Sequence, residues 1–385
     1  MREYIKLCDV CDFQGGSQPP KNEWSFDLKD GYIRMLQIRD FTQSERVAPE
    51  YIKITKATKI CEVDDILIAR YGASLGKVLT GLAGAYNVAI MKTIPDTNVL
   101  EKKYLYYYLK SPIFQGFLLN VGSRAAQAGF NKNDLQDLLI PNITRNEQVE
   151  IVGTLERVET VIEARQNELQ KLDELIRARF VELFGEPSTN PRGWDETTIS
   201  DECYYIKDGP HKSLTDIGKE NGGHPFISVR NIVNGHIDFS TARYISDEDY
   251  ADAIKKCHPE KGDMLYSKGG TTGIAKLIDI DEKFANWVHV AVLKFDKSRL
   301  NGVFFENMLN CFYCYEQSQR LTKGIANRDL VLSAMAQIKL YCPPMELQNE
   351  FEEFVKQVDK SKVKVQKALD ETQKLFDSLM QQYFG

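Results

Sequence analysis

Two long segments of the chain carry apolar residues at alternating three- and four-residue steps, the spacing of a coiled-coil helix. The first covers residues 146–185 with the steps 4-3-4-3, and the second covers 344–385, to which we assign the steps 3-4-3-4. Each ends at a glycine, as many helices do. The predicted seams are Ile151, Leu155, Val158, Ile162, Arg165, Leu169, Leu172, Ile176, Arg179 and Leu183 in the first, and Phe351, Phe354, Val358, Ser361, Val365, Ala368, Thr372, Leu375, Leu379 and Gln382 in the second.

These segments predict a pair of helices that pack on each other. A helix of ~35 residues spans about 50 Å at ~1.5 Å per residue, more than the diameter of a small domain. The common alternative is an amphipathic helix that lies on a globular domain, and two such helices are hard to bury in that way. We therefore predict an antiparallel coiled coil.

The rest of the chain repeats itself after roughly 190–200 residues, a period too long for a solenoid. Each copy ends in an apolar strand, a turn and a glutamine, Gln148 or Gln348, before its long helix. The pattern predicts an α+β fold of two tandem domains, each followed by a long helix, with pseudo-two-fold symmetry. The matching segments are Ile33–Asp40 with Pro225–Asn231, Asp64–Gly72 with Gly262–Gly270, and Gly129–Leu135 with Gly324–Leu330.

We expect a short linker between the two copies, because residues 186–193 hold two prolines and a glycine. Segments Tyr104–Leu109 and Phe304–Tyr315 have helical patterns. The predicted organisation is a globular domain over 1–145, a central helix over 146–185, a linker over 186–193, a second globular domain over 194–343 and a C-terminal helix over 344–385.

Composition places the chain among globular proteins. Its 385 residues suffice for two or three domains, with 43% hydrophobic and 27% charged residues. No run of ~18 apolar residues predicts a membrane span, and the first residues lack the apolar stretch of a secretory signal. We expect the eight cysteines to be reduced thiols of a cytoplasmic protein.

The net charge of −6 does not by itself suggest a nucleic-acid binder. The charge is unevenly distributed, however. Residues 1–146 hold 19 basic and 16 acidic side chains, whereas residues 147–185 hold 5 and 9. Much of the acid excess thus belongs to the helices, and local basic surfaces on the globular domains remain compatible with the composition.

Several candidate sites lack the residues that their chemistry needs. Gly72–Lys77 resembles a phosphate loop, but it has three residues between its glycines instead of four, and Val78 follows the lysine. None of the five histidines is duplicated, and the sequence contains no G-x-S-x-G, H-E-x-x-H or G-x-G-x-x-G motif. The Asn/Asp-Pro-Pro-aromatic motif of amino-DNA methyltransferases is also missing. We therefore expect no catalytic centre.

Two cysteine pairs have the spacing of zinc ligands, Cys8 with Cys11 and Cys311 with Cys314. In the repeat, Cys11 aligns with Cys203, but Cys8 aligns with a serine, so the first pair is not duplicated. We interpret all four as reduced thiols and predict no metal site.

Polar loops with glycine recur at matching places in both copies. Glycine lets the backbone approach a ligand closely, and Arg, Lys, Ser, Thr, Gln and Asn donate to phosphates and base edges. The alternative for any single residue is a solvated turn. The candidate DNA-binding residues are Ser17, Gln18, Arg39, Arg70, Tyr71, Ser74, Lys77, Arg124, Gln127 and Lys132 in the first copy, and Lys212, Arg230, Lys268, Thr271, Thr272, Lys323, Asn327 and Arg328 in the second.

A duplicated binding domain joined by rigid helices suits DNA, because a duplex offers two sites at a defined spacing. The two copies share a framework but differ in their loops. We expect them to read two different half-sites separated by a spacer that is not read.

The chain resembles the specificity (S) subunits of type I restriction–modification systems over essentially its whole length. The resemblance rests on the order and duplication of Val63–Gly72, Phe226–Ile232 and Cys342–Gln348. The first copy departs from the Pro-Pro-x-x-x-Gln turn, since it has Ile143–Gln148 there.

The resemblance implies a non-catalytic DNA-recognition subunit that assembles with two methyltransferase (M) subunits and with restriction (R) subunits. It implies no association with a membrane. The helices would set the spacer and dock the M subunits. S-adenosylmethionine, ATP and Mg²⁺ would belong to those partners, with no cofactor in this chain. A self-contained DNA methyltransferase and a duplicated coiled-coil scaffold remain as alternatives.

Overall fold

The structure is a computed structural model that describes residues 3–43, 47–122, 129–325 and 327–385. The chain forms two compact units. The first comprises Met1–Gln166 with Lys367–Gly385, and the second comprises Asn167–Gln366. None of the helices in the described ranges is both long enough and apolar enough to cross a membrane.

The first part of the chain runs through short strands and helices before the first long helix. Its elements are β1 (Tyr4–Lys6), α1 (Leu7–Val10), β2 (Cys11–Gly15), β3 (Trp24–Ser25), β4 (Tyr32–Leu36), α2 (Ile38–Thr42), β5 (Glu50–Lys53), β6 (Ile60–Cys61), β7 (Leu67–Ala69), β8 (Val78–Leu79), β9 (Gly84–Tyr86), β10 (Ile90–Pro95), α3 (Lys102–Lys110), α4 (Pro112–Gly122), β11 (Leu139–Pro141) and α5 (Arg145–Phe184).

The second part repeats this order. Its elements are β12 (Glu196–Thr198), α6 (Ile199–Glu202), β13 (Cys203–Asp208), β14 (His224–Ile227), β15 (Arg243–Ile245), α7 (Asp247–Lys256), β16 (Met264–Ser267), β17 (Ala275–Leu277), β18 (Ala285–Asn286), β19 (Val290–Phe295), α8 (Gly302–Asn310), α9 (Phe312–Leu321), α10 (Leu332–Met335), β20 (Lys339–Tyr341) and α11 (Met345–Phe384).

Each unit is built on a four-stranded antiparallel sheet, with the order β2-β10-β7-β8 in the first and β13-β19-β16-β17 in the second. The inner strands β7 and β16 are buried at every residue, which fits their unbroken apolar runs. A second sheet contains the parallel pair β4–β9 or β14–β18. The duplicated α+β fold is confirmed.

The helices α5 and α11 pack antiparallel. In the second unit Lys362 Nζ lies 2.7 Å from Asp173 Oδ1, and Arg179 Nη2 lies 2.5 Å from Glu350 Oε1. Residue numbers rise along one helix as they fall along the other, which confirms the predicted coiled coil.

The C-terminal end of each long helix is anchored by a phenylalanine in a hydrophobic core. The ring of Phe184 lies 4.7 Å from that of Phe304 in the second unit, and the ring of Phe384 lies 5.1 Å from that of Tyr104 in the first. Each unit therefore contains the start of one long helix and the end of the other.

The predicted seam of α5 is confirmed, since all its members are buried or half-buried. The seam predicted for α11 is wrong at three positions, since Ser361, Leu375 and Gln382 are exposed. Lys362 occupies a seam position because its aliphatic stem packs there while its ammonium pairs with Asp173. The observed seam is Phe351, Val355, Val358, Lys362, Val365, Leu369, Thr372, Phe376, Leu379 and Tyr383, each 200 residues after its counterpart in α5.

One predicted helix is also corrected. The segment Phe304–Tyr315 forms parts of α8 and α9, which are separated at Cys311. The backbone of Cys311 is extended, with φ −68° and ψ 159°, so the helical hydrogen bonds restart after it.

Candidate nucleic-acid interface

Loops from four parts of the sequence meet at one end of the four-stranded sheet in each unit. We call this surface the loop end. In the first unit Arg70 N–H donates to Ala89 O at 2.8 Å, and Ser17 N–H donates to Tyr86 O at 3.1 Å. In the second unit Lys268 N–H donates to His289 O at 2.8 Å. The loop end comprises residues 16–18, 70–76, 87–89 and 129–130 in the first unit, and residues 209–212, 268–273, 287–289 and 327–330 in the second.

A glycine at the same repeat position lets the first of these loops cross its neighbour. A Cβ on Gly16 would lie 2.1 Å from Asn87 O, and a Cβ on Gly209 would lie 1.7 Å from Asn286 O. Any side chain would force the two backbones apart. The glycines that the sequence analysis singled out therefore have a structural cause, which is close backbone approach.

A cation occupies the centre of each loop end. Arg70 is half-buried, with Nε donating to Phe130 O at 3.0 Å and Nη1 to Val88 O at 3.2 Å. Lys268 is only 5% exposed, and its Nζ lies 2.9 Å from Asp329 Oδ1 and 3.6 Å from Asp208 Oδ2. Burial and two carboxylates hold its ammonium inside the protein, and the contact of Lys268 with DNA stays a prediction.

Thr272, another predicted DNA contact, is also buried, at 1% exposed. Its hydroxyl lies 2.9 Å from that of Thr322, and its carbonyl accepts from Gln319 Nε2 at 2.9 Å. Arg328 is exposed but directs its guanidinium to Gln319 and Thr272. Thr272 therefore ties α9 to the turn after β16.

Other predicted residues display polar groups at or beside the loop end. Lys212 is exposed, 3.6 Å from Asp249 Oδ1. Tyr71 is 40% exposed. The exposed candidates are Gln18 and Tyr71 in the first unit and Lys212, Thr271, Lys323, Asn327 and Arg328 in the second, while Ser17 and Ser74 are half-buried.

Arg39 and Arg230 stand at equivalent positions just after β4 and β14. Arg39 pairs with Glu50, and Arg230 donates to Thr241 O. Both guanidinium groups are exposed in part, yet each already has an internal acceptor.

Two predicted lysines of the first unit lie away from its central cation. Lys132 pairs with Asp12, which raises the pKa of Lys132 and lowers that of the carboxyl. Lys77 is exposed on an open groove of about 450 Å³ that Lys110 and Gln115 also line. Arg124 and Gln127 lie outside the described residues.

The two units place an aromatic ring at the same spot from different loops. The isolated bridges pair Tyr71 with Gly129, and Gly269 with Asp329. Gly129 therefore matches Asp329, and its predicted match with Gly324 is wrong. A Cβ on Gly129 would lie 2.4 Å from the Tyr71 ring, and a Cβ on Gly269 would lie 2.6 Å from the His289 ring.

The sequence analysis missed His289, along with Trp287, whose ring lies 4.8 Å from that of His289. It also missed Lys59, whose N–H donates to Ser17 Oγ at 3.4 Å, and Lys256, whose Nζ donates to Gly209 O at 2.6 Å. The register of the repeat could have pointed to His289, because it aligns His289 in the second copy with Ala89 in the first. A large residue at a position that is small in the other copy is a signal of a difference between the two loop ends. For the two lysines the sequence offers no signal.

The cysteines with zinc-ligand spacing differ in their surroundings, and a hydrogen bond with Cys314 lowers the pKa of Cys311. No group of three or more His, Cys, Asp or Glu side chains suited to a metal ion occurs in the described parts of the chain. Burial raises the pKa of Cys11 to about 12, which favours the thiol over the thiolate that zinc requires. Cys314 is fully buried, and burial raises the pKa of its thiol as well.

This duplicated fold with loop ends defines a DNA specificity domain. The family described as type I restriction modification DNA specificity domain matches residues 2–174 and 191–372. The chain belongs to this family, which confirms the resemblance found in the sequence. It is the DNA-recognition component of a type I restriction–modification system and is not itself the enzyme; the methyltransferase and scaffold alternatives are not favoured.

Individual relatives agree with this assignment. The chain is 21% identical over 374 residues to the type I restriction enzyme MjaVIII specificity subunit of Methanocaldococcus jannaschii, covering 93% of this chain and 86% of the relative. It is 24% identical over 189 residues to the EcoBI specificity subunit of Escherichia coli, covering 46% and 40%.

Solved structures share the fold. The S subunit of a type I restriction–modification system from M. genitalium aligns with a TM-score of 0.53 at 16% identity, covering 100% of this chain and 96% of that one. A chain from a structure on complex assembly and conformational transition of the type I R-M system aligns with a TM-score of 0.58 at 16% identity, covering 99% and 97%.

Proposed function

We propose that each loop end reads one half of a bipartite DNA site. The observation that carries this proposal is the contrast within the repeat. The sheets and the glycine crossings at Gly16 and Gly209 are the same in both units, whereas the displayed side chains differ. A shared scaffold that displays different hydrogen-bond donors suits two DNA half-sites that differ in sequence.

The displayed groups have the chemistry of duplex recognition. Lys212 and Lys323 supply positive charge for phosphates, and Asn327 and Gln18 carry amides that can pair with adenine. Their positions on loops allow them to change between relatives without disturbing the sheet.

In the same proposal α5 and α11 set the spacer between the half-sites and dock two M subunits. R subunits join when the complex cuts DNA. S-adenosylmethionine, ATP and Mg²⁺ are bound by these partners, and the complex works in the cytoplasm. The net charge of −6 predicts weak DNA binding by the isolated chain, because the partners must complete a basic channel.

The test is co-expression with the M subunit encoded beside this gene, followed by mapping of methylated adenines. We expect one bipartite sequence with a fixed spacer. Exchanging residues 194–343 for the equivalent domain of another relative should change one half of that sequence only. A change in both halves, or methylation without sequence preference, contradicts the proposal.

A further inference from the structure

We propose that Arg70 and Lys268 are positioning residues that determine which half-site each unit reads without touching DNA. The inference rests on the proposed function and adds the residues that hold its reading loops. It follows from one juxtaposition. At the same place in the repeat, one basic residue contacts segments from three other parts of the chain, partly through its backbone and partly through its cationic side chain.

In the second unit Lys268 binds its neighbours through both backbone and side chain. Its N–H donates to His289 O at 2.8 Å, and its carbonyl accepts from Leu330 N–H at 2.7 Å. Its ammonium lies between Asp329 at 2.9 Å and Asp208 at 3.6 Å. The loops at 209–212, 287–289 and 327–330 are thereby fixed to the turn that starts at Lys268.

Asp208 makes this arrangement more rigid. It is 8% exposed and also accepts from Lys256 Nζ at 2.8 Å. Lys256 in turn donates to Gly209 O at 2.6 Å, where the loop crosses its neighbour. The buried charges are therefore paired, as burial requires.

In the first unit Arg70 also binds the neighbouring segments through its backbone and side chain, but its side chain donates to backbone carbonyls. Its N–H donates to Ala89 O at 2.8 Å, its Nε donates to Phe130 O at 3.0 Å and its Nη1 to Val88 O at 3.2 Å. A Cβ on Gly15 would lie 3.2 Å from Nη1, so the guanidinium also lies against the end of β2. Backbone carbonyls replace the carboxylates of the second unit as acceptors.

The consequence is a specific kind of defect. Base contacts depend on the position and angle of each donor, whereas phosphate contacts tolerate small displacements. Loss of the central cation should shift the loops and relax base discrimination in its own half-site. Loss of an exposed phosphate contact should weaken binding to all sequences about equally.

The experiment compares Lys268→Met with Lys323→Met, an exposed lysine of the same unit, each co-expressed with the M subunit. Methionine fills the buried volume without the charge. For Lys268→Met we expect methylation at sites with one mismatch in the second half-site to rise about tenfold relative to the cognate site. The first half-site should stay unchanged, and Lys268→Arg should restore discrimination. Lys323→Met should lower methylation without new mismatched sites.

Arg70→Lys is the matching variant in the first unit. It keeps the charge but cannot reach both carbonyls as the guanidinium does, so relaxation should be confined to the first half-site. If Lys268→Met does not fold, Asp329→Asn provides the second variant, because it removes the charge of one carboxylate and leaves the lysine paired with Asp208.

The outcomes separate the two proposals. If exchange of residues 194–343 moves one half-site but Lys268→Met and Asp329→Asn keep full discrimination, the positioning role is wrong and the proposed function stands. If the exchange itself moves neither half-site, the proposed function fails. Relaxation of both half-sites by Lys268→Met would also overturn the positioning role.

Discussion

The backbone N–H of Glu101 donates to Gln148 Oε1 at 2.7 Å, and this contact joins the start of α3 to the start of α5. The second unit repeats it, with Asn301 N–H donating to Gln348 Oε1 at 2.8 Å. Both glutamines are buried, and each donates its amide to two carbonyls. One buried side chain thus fixes each recognition domain to the long helix that follows it.

We expect Gln348→Leu to destabilise the second unit by about 1–3 kcal/mol, because a buried donor and two buried carbonyls lose their partner. Gln357→Leu is the matched control, since Gln357 is exposed on the same helix. Urea unfolding monitored by circular dichroism measures both. Equal stability of the two variants would show that the contact contributes nothing.

The unfolding free energy of the unsubstituted protein should fall more steeply in acid than that of a Glu202→Gln variant. Hydrogen bonds from Arg299, at 2.9 and 2.8 Å, lower the pKa of the buried Glu202 carboxyl. A lowered pKa gives stability that is present above the unfolded value, about 4.3, and that is lost as the pH falls through the folded value. Glu202→Gln should lose about 1–3 kcal/mol at pH 7, since the hydrogen bonds to a charged group are weakened.

The check for this pair is the unfolding free energy of both proteins from pH 7 down to about pH 3, a range that extends below the unfolded pKa of about 4.3. The gap between them should narrow as the pH falls. A gap that stays constant across this range would mean that the charge of Glu202 does not stabilise the fold.

Tyr71→Ala and His289→Ala should each weaken recognition of one half-site, by about 1–3 kcal/mol if the ring reads a base. The rings occupy equivalent spots of the two loop ends, so each substitution should affect its own half only. Methylation rates at limiting DNA, measured on sites altered in one half, give the answer. Tyr204→Ala is the control, because Tyr204 is 75% exposed near the other end of β13. If Tyr204→Ala weakened recognition of a half-site as much, the assignment of the Tyr71 and His289 rings to DNA recognition would be wrong.

Seven residues inserted in both long helices should lengthen the spacer by about one to three base pairs. A heptad adds about 10 Å of helix and keeps the packing register. Lys362 faces Asp173, so an insertion after Leu169 is matched by one after Val365. Methylome sequencing should show unchanged half-sites and a longer spacer. A folded, active variant with the original spacer would show that the helices do not set the distance.

A single insertion after Leu169 serves as the control for this pair. It leaves seven residues without partners, which should loop out or slip the register and mostly destabilise the protein. Thermal unfolding separates this effect from the matched insertion, which should retain most of the stability.

The sequence by itself determined the repeat, the two long helices and the family, because each depends on periodicity or on the order of segments. Gln148 and Gln348 were visible as a matched pair before any contact was known. The glycines at 16 and 209 could also be identified, although not the carbonyls that require them.

Only the tertiary structure decided the rest. Part of the α11 seam was misassigned because the exposed Leu375 is as apolar as the true seam residues. Lys362 enters the seam only through its pairing with Asp173. Lys268 was a candidate DNA-binding residue on the sequence alone, which does not show that two aspartates distant along the chain enclose its ammonium. Periodicity is a local property that a sequence carries, whereas the burial of one charge depends on chain segments that meet only on folding.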